Sequence, residues 1–435
     1  MRAPLRWFLA AGAAAAALGV AFVAPGRRPT ASAAPAPADT SITTRSIAYF
    51  EKRLVVQRDN YMVRGRLISR YVLRFGTGAQ LGDVKRAEAL ARDQVRAARP
   101  DRGQALSRLS AVLLMQHKFA EALETATEAH RLDTLNQDAL GGVFDAALAS
   151  GHYAAAESAL ARLRPGTMNA LVRRAQWLDA SGRPQGAFQA FDRLCNQLER
   201  SAAPPAVVAW CLTQLGAVEH ARRGPEAAAV AWQRALAVEP GYRGALEGLA
   251  GLAAARGEWT SAEALYRRIV ADAHPDLYLR AAEAAAARGD RVAERAYERR
   301  FLAVAGRPEN EALYGEMLAL YYAEKSDPAS RDAALALALR DVARRPTIES
   351  YDALSWVRFR RGEFDAALVA SDSARRWGTA SATMDYHRGR ILYALGRVAE
   401  AAPLLREAAA HPTLLAPQAR AELATGPRGT IGLPP

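Results

Sequence analysis

Aromatic and arginine side chains alternate at helical spacing in two stretches near the C-terminus. This C-terminal stripe consists of Trp356, Phe359 and Arg360, followed by Tyr386, His387, Arg390 and Tyr393. Positions 386, 390 and 393 lie one helical turn apart, so they share one face of a helix. Aromatic rings beside guanidinium groups suit a peptide that carries a carboxylate, through stacking and bidentate pairing. The alternative is that Trp356 and Tyr393 are core residues, because aromatic stripes on helices usually face a core.

Patterns for catalysis or metal binding are absent from the sequence. The seven histidines are scattered, and none pairs with a glutamate in the spacing of a zinc protease. The sequence also lacks calcium loops, phosphate-binding glycine loops and nucleophile elbows. We therefore expect a protein that is not an enzyme, with no metal and no cofactor, although a site formed across distant segments stays open.

Length and composition predict many closely packed helices. A chain of 435 residues exceeds what one compact core supports, so it contains several domains or forms a solenoid. Much of the 50% hydrophobic content is alanine, the strongest helix former, and aromatic residues make up only 7%. Few runs of β-branched or aromatic residues are available for strands, so we expect an all-α protein.

The charge balance is basic and almost wholly due to arginine. The net charge is +13, from 58 basic and 45 acidic residues, and only four of the basic residues are lysines. Acids alternate with these bases and no RNA-binding motif is present, so we expect no nucleic-acid partner. An arginine-driven binder of polyanions or of an anionic envelope surface stays open as the alternative function.

The N-terminus has the pattern of an export signal. Arg2 and Arg6 precede the apolar stretch Trp7–Ala24, and the small residues Ala31, Ser32 and Ala33 follow. We therefore place the protein outside the cytoplasm, periplasmic or secreted. The stretch is longer than a usual signal core, so an uncleaved membrane anchor is the alternative, and it would be the only membrane contact.

A repeat with a period near 34 residues follows. Alanines recur 34 residues apart in three places, at Ala122 and Ala156, Ala228 and Ala262, and Ala367 and Ala401. One unit contains Leu212, Leu215 and Gly216, then Ala228 and Trp232, and glycines recur at positions that suit the turn between two helices. These residues resemble the tetratricopeptide repeat (TPR) family, in which each unit is a pair of antiparallel helices.

The resemblance implies a right-handed superhelical solenoid of about nine helix pairs over residues 46–412. A signal or anchor (1–33) and a flexible linker (34–45) precede it, and a tail (413–435) follows. It also implies a non-enzymatic scaffold that binds a protein or peptide in the concave groove lined by the first helices, and charge complementarity makes an acidic partner one candidate. On that reading the C-terminal stripe lines the groove with ring faces and guanidinium groups partly exposed, and Arg173 lines it mid-chain.

The only two cysteines, Cys195 and Cys211, fall on consecutive helices of this repeat frame. Helices joined in this way are neighbours, and a compartment outside the cytoplasm permits a disulfide. Either a disulfide forms, which requires Cα atoms within about 7 Å, or both residues are small buried thiols.

Overall fold

The structure, a computed structural model, describes residues 40–78, 81–97, 101–201, 203–270, 274–379, 381–411, 413 and 415–426. The predicted signal or anchor, and the linker as far as residue 39, lie outside the described residues. The rest of the predicted linker, residues 40–45, is instead the beginning of the first helix. The described part of the chain contains 22 α-helices and no β-strand.

The helices are α1 (Thr40–Val56), α2 (Tyr61–Gly78), α3 (Leu81–Ala97), α4 (Arg102–Met115), α5 (Phe119–Leu132), α6 (Gln137–Ala149), α7 (Tyr153–Arg162), α8 (Met168–Ala180), α9 (Pro184–Arg200), α10 (Pro205–Arg223), α11 (Pro225–Val238), α12 (Arg243–Ala255), α13 (Trp259–Ile269), α14 (Asp276–Ala287), α15 (Arg291–Ala305), α16 (Glu311–Ala323), α17 (Pro328–Arg344), α18 (Ile348–Arg360), α19 (Phe364–Arg375), α20 (Ala382–Ala394), α21 (Val398–Ala410) and α22 (Ala416–Thr425). A short 3-10 turn, Pro308–Asn310, leads into α16.

Consecutive helices from α2 to α21 pack as ten pairs. The first helices of several neighbouring pairs also contact one another, namely α4 and α6, α6 and α8, α10 and α12, α16 and α18, and α18 and α20. The predicted turn glycines end the first helices with φ between 68° and 82°, at Gly151, Gly182, Gly257, Gly289, Gly362 and Gly396. Glycine adopts this left-handed conformation without the penalty that a Cβ atom brings. The predicted all-α solenoid of tetratricopeptide-like helix pairs is therefore confirmed.

The residues that mark the repeat explain why the pairs pack closely. Trp232 on α11 is buried between Gly216 on α10 and Gly248 on α12. A Cβ atom at Gly216 or Gly248 would lie 2.4 Å or 2.5 Å from the indole ring. Small residues at these crossings therefore make room for one large aromatic side chain from the neighbouring helix.

The chain also packs against itself over a long sequence distance. The backbone N–H of Ile348 donates to the hydroxyl of Tyr153, 195 residues away, at 3.0 Å. The hydroxyl of Thr379 donates to the carbonyl of Ala180, 199 residues away. The Trp377 ring lies 5.2 Å from the Tyr153 ring, measured between centroids. The turns of the third and fourth pairs therefore pack on the loops before α18 and α20.

Two of the turn glycines lie at this long-range contact. A Cβ atom at Gly151 would lie 2.5 Å from the carbonyl oxygen of Pro346, and one at Gly182 would lie 2.2 Å from that of Gly378. Both glycines thus serve two purposes, since they end a helix and allow backbone from a distant repeat to approach. By contrast, Gly362 and Gly396 have open space where a Cβ would be.

The C-terminal half differs from the open groove that the repeat pattern predicts. Helices α18 and α20 bury residues on all sides, whereas helices that line an open groove leave one face to solvent. The predicted tail likewise contains α22, which packs against α21 and contributes Leu415 and Ala419 to the C-terminal core.

Candidate functional site

The C-terminal stripe is buried. Trp356, Phe359, Tyr386, His387 and Tyr393 are each at most 5% exposed. The Trp356 ring stacks on Phe359 and on His387, with centroids 5.0 Å and 4.3 Å apart. The expectation of exposed ring faces was wrong, because the neighbouring first helices α18 and α20 approach closely enough to bury the rings against each other.

The carboxylates that the stripe holds come from the chain itself. The indole N–H of Trp356 donates to Glu324 at 2.8 Å, and Arg360 lies 3.6 Å from the same carboxylate. Arg390 pairs with Glu422 of α22 at 2.6 Å and lies over the Phe359 ring at 5.2 Å from its centroid. The predicted pairing of arginine and aromatic side chains with a carboxylate therefore occurs. The carboxylates are those of Glu324 and Glu422, so the pairing joins neighbouring segments of this chain and not a bound peptide.

The two remaining candidates of the predicted groove are also engaged internally. Arg173 donates to the carbonyl of Gly141 at 2.9 Å and pairs with the buried Asp145 at 2.5 Å. Its third contact is a 2.6 Å hydrogen bond to the side chain of Asn169. His387 lies 3.0 Å from the Asp352 carboxylate through Nδ1. These contacts tie each first helix to the one before it, which explains the polar residues at these positions.

Cys195 at the end of α9 and Cys211 on α10 are joined as a disulfide. Their Cα atoms are 5.5 Å apart, inside the limit set by disulfide geometry. The hydrogen bond from Arg173 to Gly141 joins α8 to α6, and the disulfide joins α9 to α10. Each therefore links two neighbouring helix pairs in the middle of the chain.

A group of charged residues that the sequence analysis missed lies between the first helices α12 and α14. This charge cluster consists of Arg243 and Glu247 on α12, and Asp276, Arg280 and Glu283 on α14. Arg243 lies 4.0 Å from Glu247, and Arg280 lies 3.9 Å from Glu283. These are ion-pair distances, but they are too long for hydrogen bonds. Among the described residues, the Oε2 atom of Glu247 accepts no hydrogen bond.

The charge cluster is partly accessible although it lies deep in the molecule. The side chains of Arg243, Arg280 and Glu283 are 15%, 13% and 28% exposed to solvent. That accessibility distinguishes Arg243 from Arg173, whose side chain is only 4% exposed. The charge cluster is therefore enclosed but not sealed from solvent.

Burial changes the titration of the charge cluster. Burial, with repulsion from the Asp276 carboxylate, raises the pKa of Glu247 to about 8. Burial also lowers the pKa of Arg243, because attraction to Glu247 and Asp276 does not offset its desolvation. The Glu247 carboxyl is therefore harder to ionise beside Arg243 than it would be in water.

For Arg345, another deeply buried arginine, attraction to nearby acids outweighs desolvation. It pairs with Asp341 at 2.9 Å and with Glu316 at 2.8 Å. Burial alone would lower its pKa, but the two acids outweigh burial and the pKa of Arg345 is raised. Arg345 is thus held as a structural ion pair at hydrogen-bonding distances, whereas Arg243 lies 4.0 Å from Glu247.

The sequence did contain a signal for the charge cluster. Arg243 and Glu247 are four residues apart and Arg280 and Glu283 three apart, near the start of consecutive first helices. Such spacing is also typical of solvated surface pairs, so it does not by itself predict an enclosed group. Only the folded chain shows that these residues of α12 and α14 are largely enclosed.

Among the described helices, none is both long and apolar enough to cross a membrane. No family model matches the chain, and no curated protein matches it. Yeast Tom70 is similar in structure, with a TM-score of 0.35 and 13% identity, over 88% of this chain and 92% of that one. Human IFIT1, in a dimer with PPP-AAAA, is similar with a TM-score of 0.46 and 13% identity, over 78% and 80% of the two chains. At TM-scores below 0.5, neither match assigns a function to this chain.

Proposed function

We propose that the protein is a non-enzymatic scaffold that binds a peptide segment of another protein through a carboxylate, at the charge cluster between α12 and α14. The observation that carries this proposal is that Arg243 stays partly exposed within a group of enclosed charges. Its side chain is 15% exposed and lies 4.0 Å from Glu247, a carboxyl whose pKa is raised by burial. A bound carboxylate would accept a hydrogen bond from the guanidinium group of Arg243.

The surroundings of Arg243 suit a peptide better than a lone anion. Arg280, Asp276 and Glu283 place both signs of charge on the neighbouring helix. A peptide can satisfy both with its side chains and its backbone, whereas an inorganic anion would be repelled by the two acids. Enclosing several charged side chains usually costs stability, and a binding role would account for their presence.

The site can be located by crosslinking in the native cell. A photoreactive amino acid in place of Glu283, on the first-helix side, is expected to yield adducts with a peptide segment of a partner protein. The control places the same group at Arg295, which is exposed on α15, the second helix of that pair. Adducts at position 295 with none at position 283 would contradict the proposed site.

We also propose that the protein acts outside the cytoplasm. The sequence pattern of residues 1–33 supports this location, and the disulfide between Cys195 and Cys211 suits an oxidising compartment. Cell fractionation is expected to recover the chain outside the cytoplasm, with a mature N-terminus near Ala34. Intact Met1 in the membrane fraction would indicate the anchored form, and intact Met1 in the soluble cytosol would contradict the location.

A further inference from the structure

The outer face of α1 differs from the rest of the surface. Its inner stripe is apolar, with Ile47 buried and Phe50 and Leu54 packed into the N-terminal core. The opposite stripe carries Tyr49, which is 54% exposed, and Val56, which is 84% exposed. Positions 45, 49, 52 and 56 follow the 3.6-residue period, so Arg45 and Lys52 lie on the same outer stripe as Tyr49 and Val56.

Exposed cations lie on and beside this outer stripe: Arg45, Lys52 and Arg53. Arg53 contacts neutral groups, the Tyr49 hydroxyl at 2.6 Å and the Gln57 amide oxygen at 3.4 Å, so these contacts do not cancel its charge. The one acid of the helix, Glu51, lies towards α2, where it accepts a hydrogen bond from the Tyr71 hydroxyl.

The same character continues into the turn after α1 and the start of α2. Val55 is 68% exposed and Met62 is 59% exposed. Arg58 and Arg66 are exposed beside them, with Asp59 as the one exposed acid of this segment. Exposed apolar side chains that are clustered in this way mark an interaction surface rather than ordinary surface residues.

Cations combined with an exposed tyrosine and aliphatic side chains match the interface of an anionic lipid bilayer. Arginine and lysine bind the lipid phosphates, while tyrosine and valine enter the boundary between headgroups and acyl chains. In the anchored form, only 15 residues would separate the apolar stretch Trp7–Ala24 from α1, and they span at most about 50 Å when extended. In that form the position in the chain favours a membrane over a protein partner.

We propose that the outer face of α1 and the α1–α2 turn bind the surface of an anionic membrane. This inference is independent of the peptide site, which lies on α12 and α14. It requires no membrane-spanning segment, because an amphipathic helix that lies in the interface gains its affinity from cations and a small apolar area.

The proposal can be tested with the full chain and lipid vesicles. Hydrogen–deuterium exchange is measured for peptides that cover residues 43–66, with vesicles of phosphatidylglycerol and phosphatidylcholine or of phosphatidylcholine alone. We expect protection of these peptides with the anionic vesicles only. The variant Arg45→Gln, Lys52→Gln, Arg53→Gln should bind the anionic vesicles about 100-fold more weakly, at about fivefold per cation.

The matched control removes the same charge elsewhere. Arg267→Gln, Arg268→Gln, Arg295→Gln changes three exposed arginines on α13 and α15 and should bind like the wild type. Equal effects of the two triple variants, or equal protection by both kinds of vesicle, would overturn the proposal.

Soluble polyphosphate is the second probe: protection of α1 as strong as that by vesicles would assign a general polyanion site instead. Val56→Asn should weaken vesicle binding, and no effect would count against the membrane.

Discussion

Gly182→Ala is expected to lower the free energy of unfolding by about 2–5 kcal/mol. Two effects combine at this position. An alanine at φ 68° pays the penalty of the left-handed conformation, about 1–2 kcal/mol. Its Cβ would also lie 2.2 Å from the carbonyl oxygen of Gly378, a backbone atom that cannot rotate away as a side chain can, and overpacking adds about 1–3 kcal/mol. The midpoint and slope of urea unfolding measure the loss.

Gly362→Ala is the matched control for Gly182→Ala. Gly362 lies at the equivalent turn of a later pair, has φ 82°, and has open space where a Cβ would be. It should therefore lose only the conformational part, about 1–2 kcal/mol. Equal losses for the two variants would show that the turn at Gly182 does not pack against the distant loop in solution.

Arg345→Met is expected to lower the free energy of unfolding by about 3–5 kcal/mol. The substitution leaves the carboxylates of Asp341 and Glu316 without the guanidinium group that both contact, and each of these residues is at most 5% exposed. Burial raises the pKa of Glu316 to about 8 even beside Arg345, so without the guanidinium group the loss should grow as the pH rises through about 8 and Glu316 would have to ionise unpaired. Chemical denaturation at pH 7 and pH 9 measures both effects.

Two further variants separate lost charge compensation from lost packing. Arg340→Met breaks an exposed pair with Glu311 and should lower stability by less than about 1 kcal/mol. Adding Glu316→Gln and Asp341→Asn to Arg345→Met should recover most of the stability, because neutral side chains replace the unpaired acids. A triple variant as unstable as Arg345→Met would assign the effect to packing, including the contact of Arg345 with the Phe119 ring.

The helix pairs were predictable because their signals are local. Gly216 and Trp232 belong to one repeat, and the turn glycines end helices by their own backbone preference. The contact of Gly182 with Gly378 was not predictable, since it joins segments whose sequences show no shared pattern. It depends on how small rotations between neighbouring pairs accumulate along the solenoid.

The candidate site was predictable only in part, for a related reason. Sequence spacing grouped Trp356 with Phe359 and Tyr386 with Arg390, and these side chains do contact one another. Their exposure depends on Glu324 and on Glu422 of α22, which lie on other helices. Arg243 was missed because a pattern of alternating charge describes a solvated surface and an enclosed ion pair equally well.

The central claim is that Arg243 binds a carboxylate of a partner peptide, and affinity tests it most directly. The peptide crosslinked at position 283 is titrated at pH 7 into the wild type, Arg243→Gln and Arg267→Gln, the last an exposed arginine on α13. Loss of a charge-assisted hydrogen bond should weaken binding to Arg243→Gln about 10- to 150-fold. Arg267→Gln should bind as the wild type does.

The same titration, repeated across pH on the wild type, tests the electrostatic cause. Affinity should fall as the pH rises through about 8, because Glu247 then ionises beside the bound carboxylate. In Glu247→Gln that decline should disappear. Equal affinity of the wild type and Arg243→Gln, with no change in affinity across this pH range, would contradict the account.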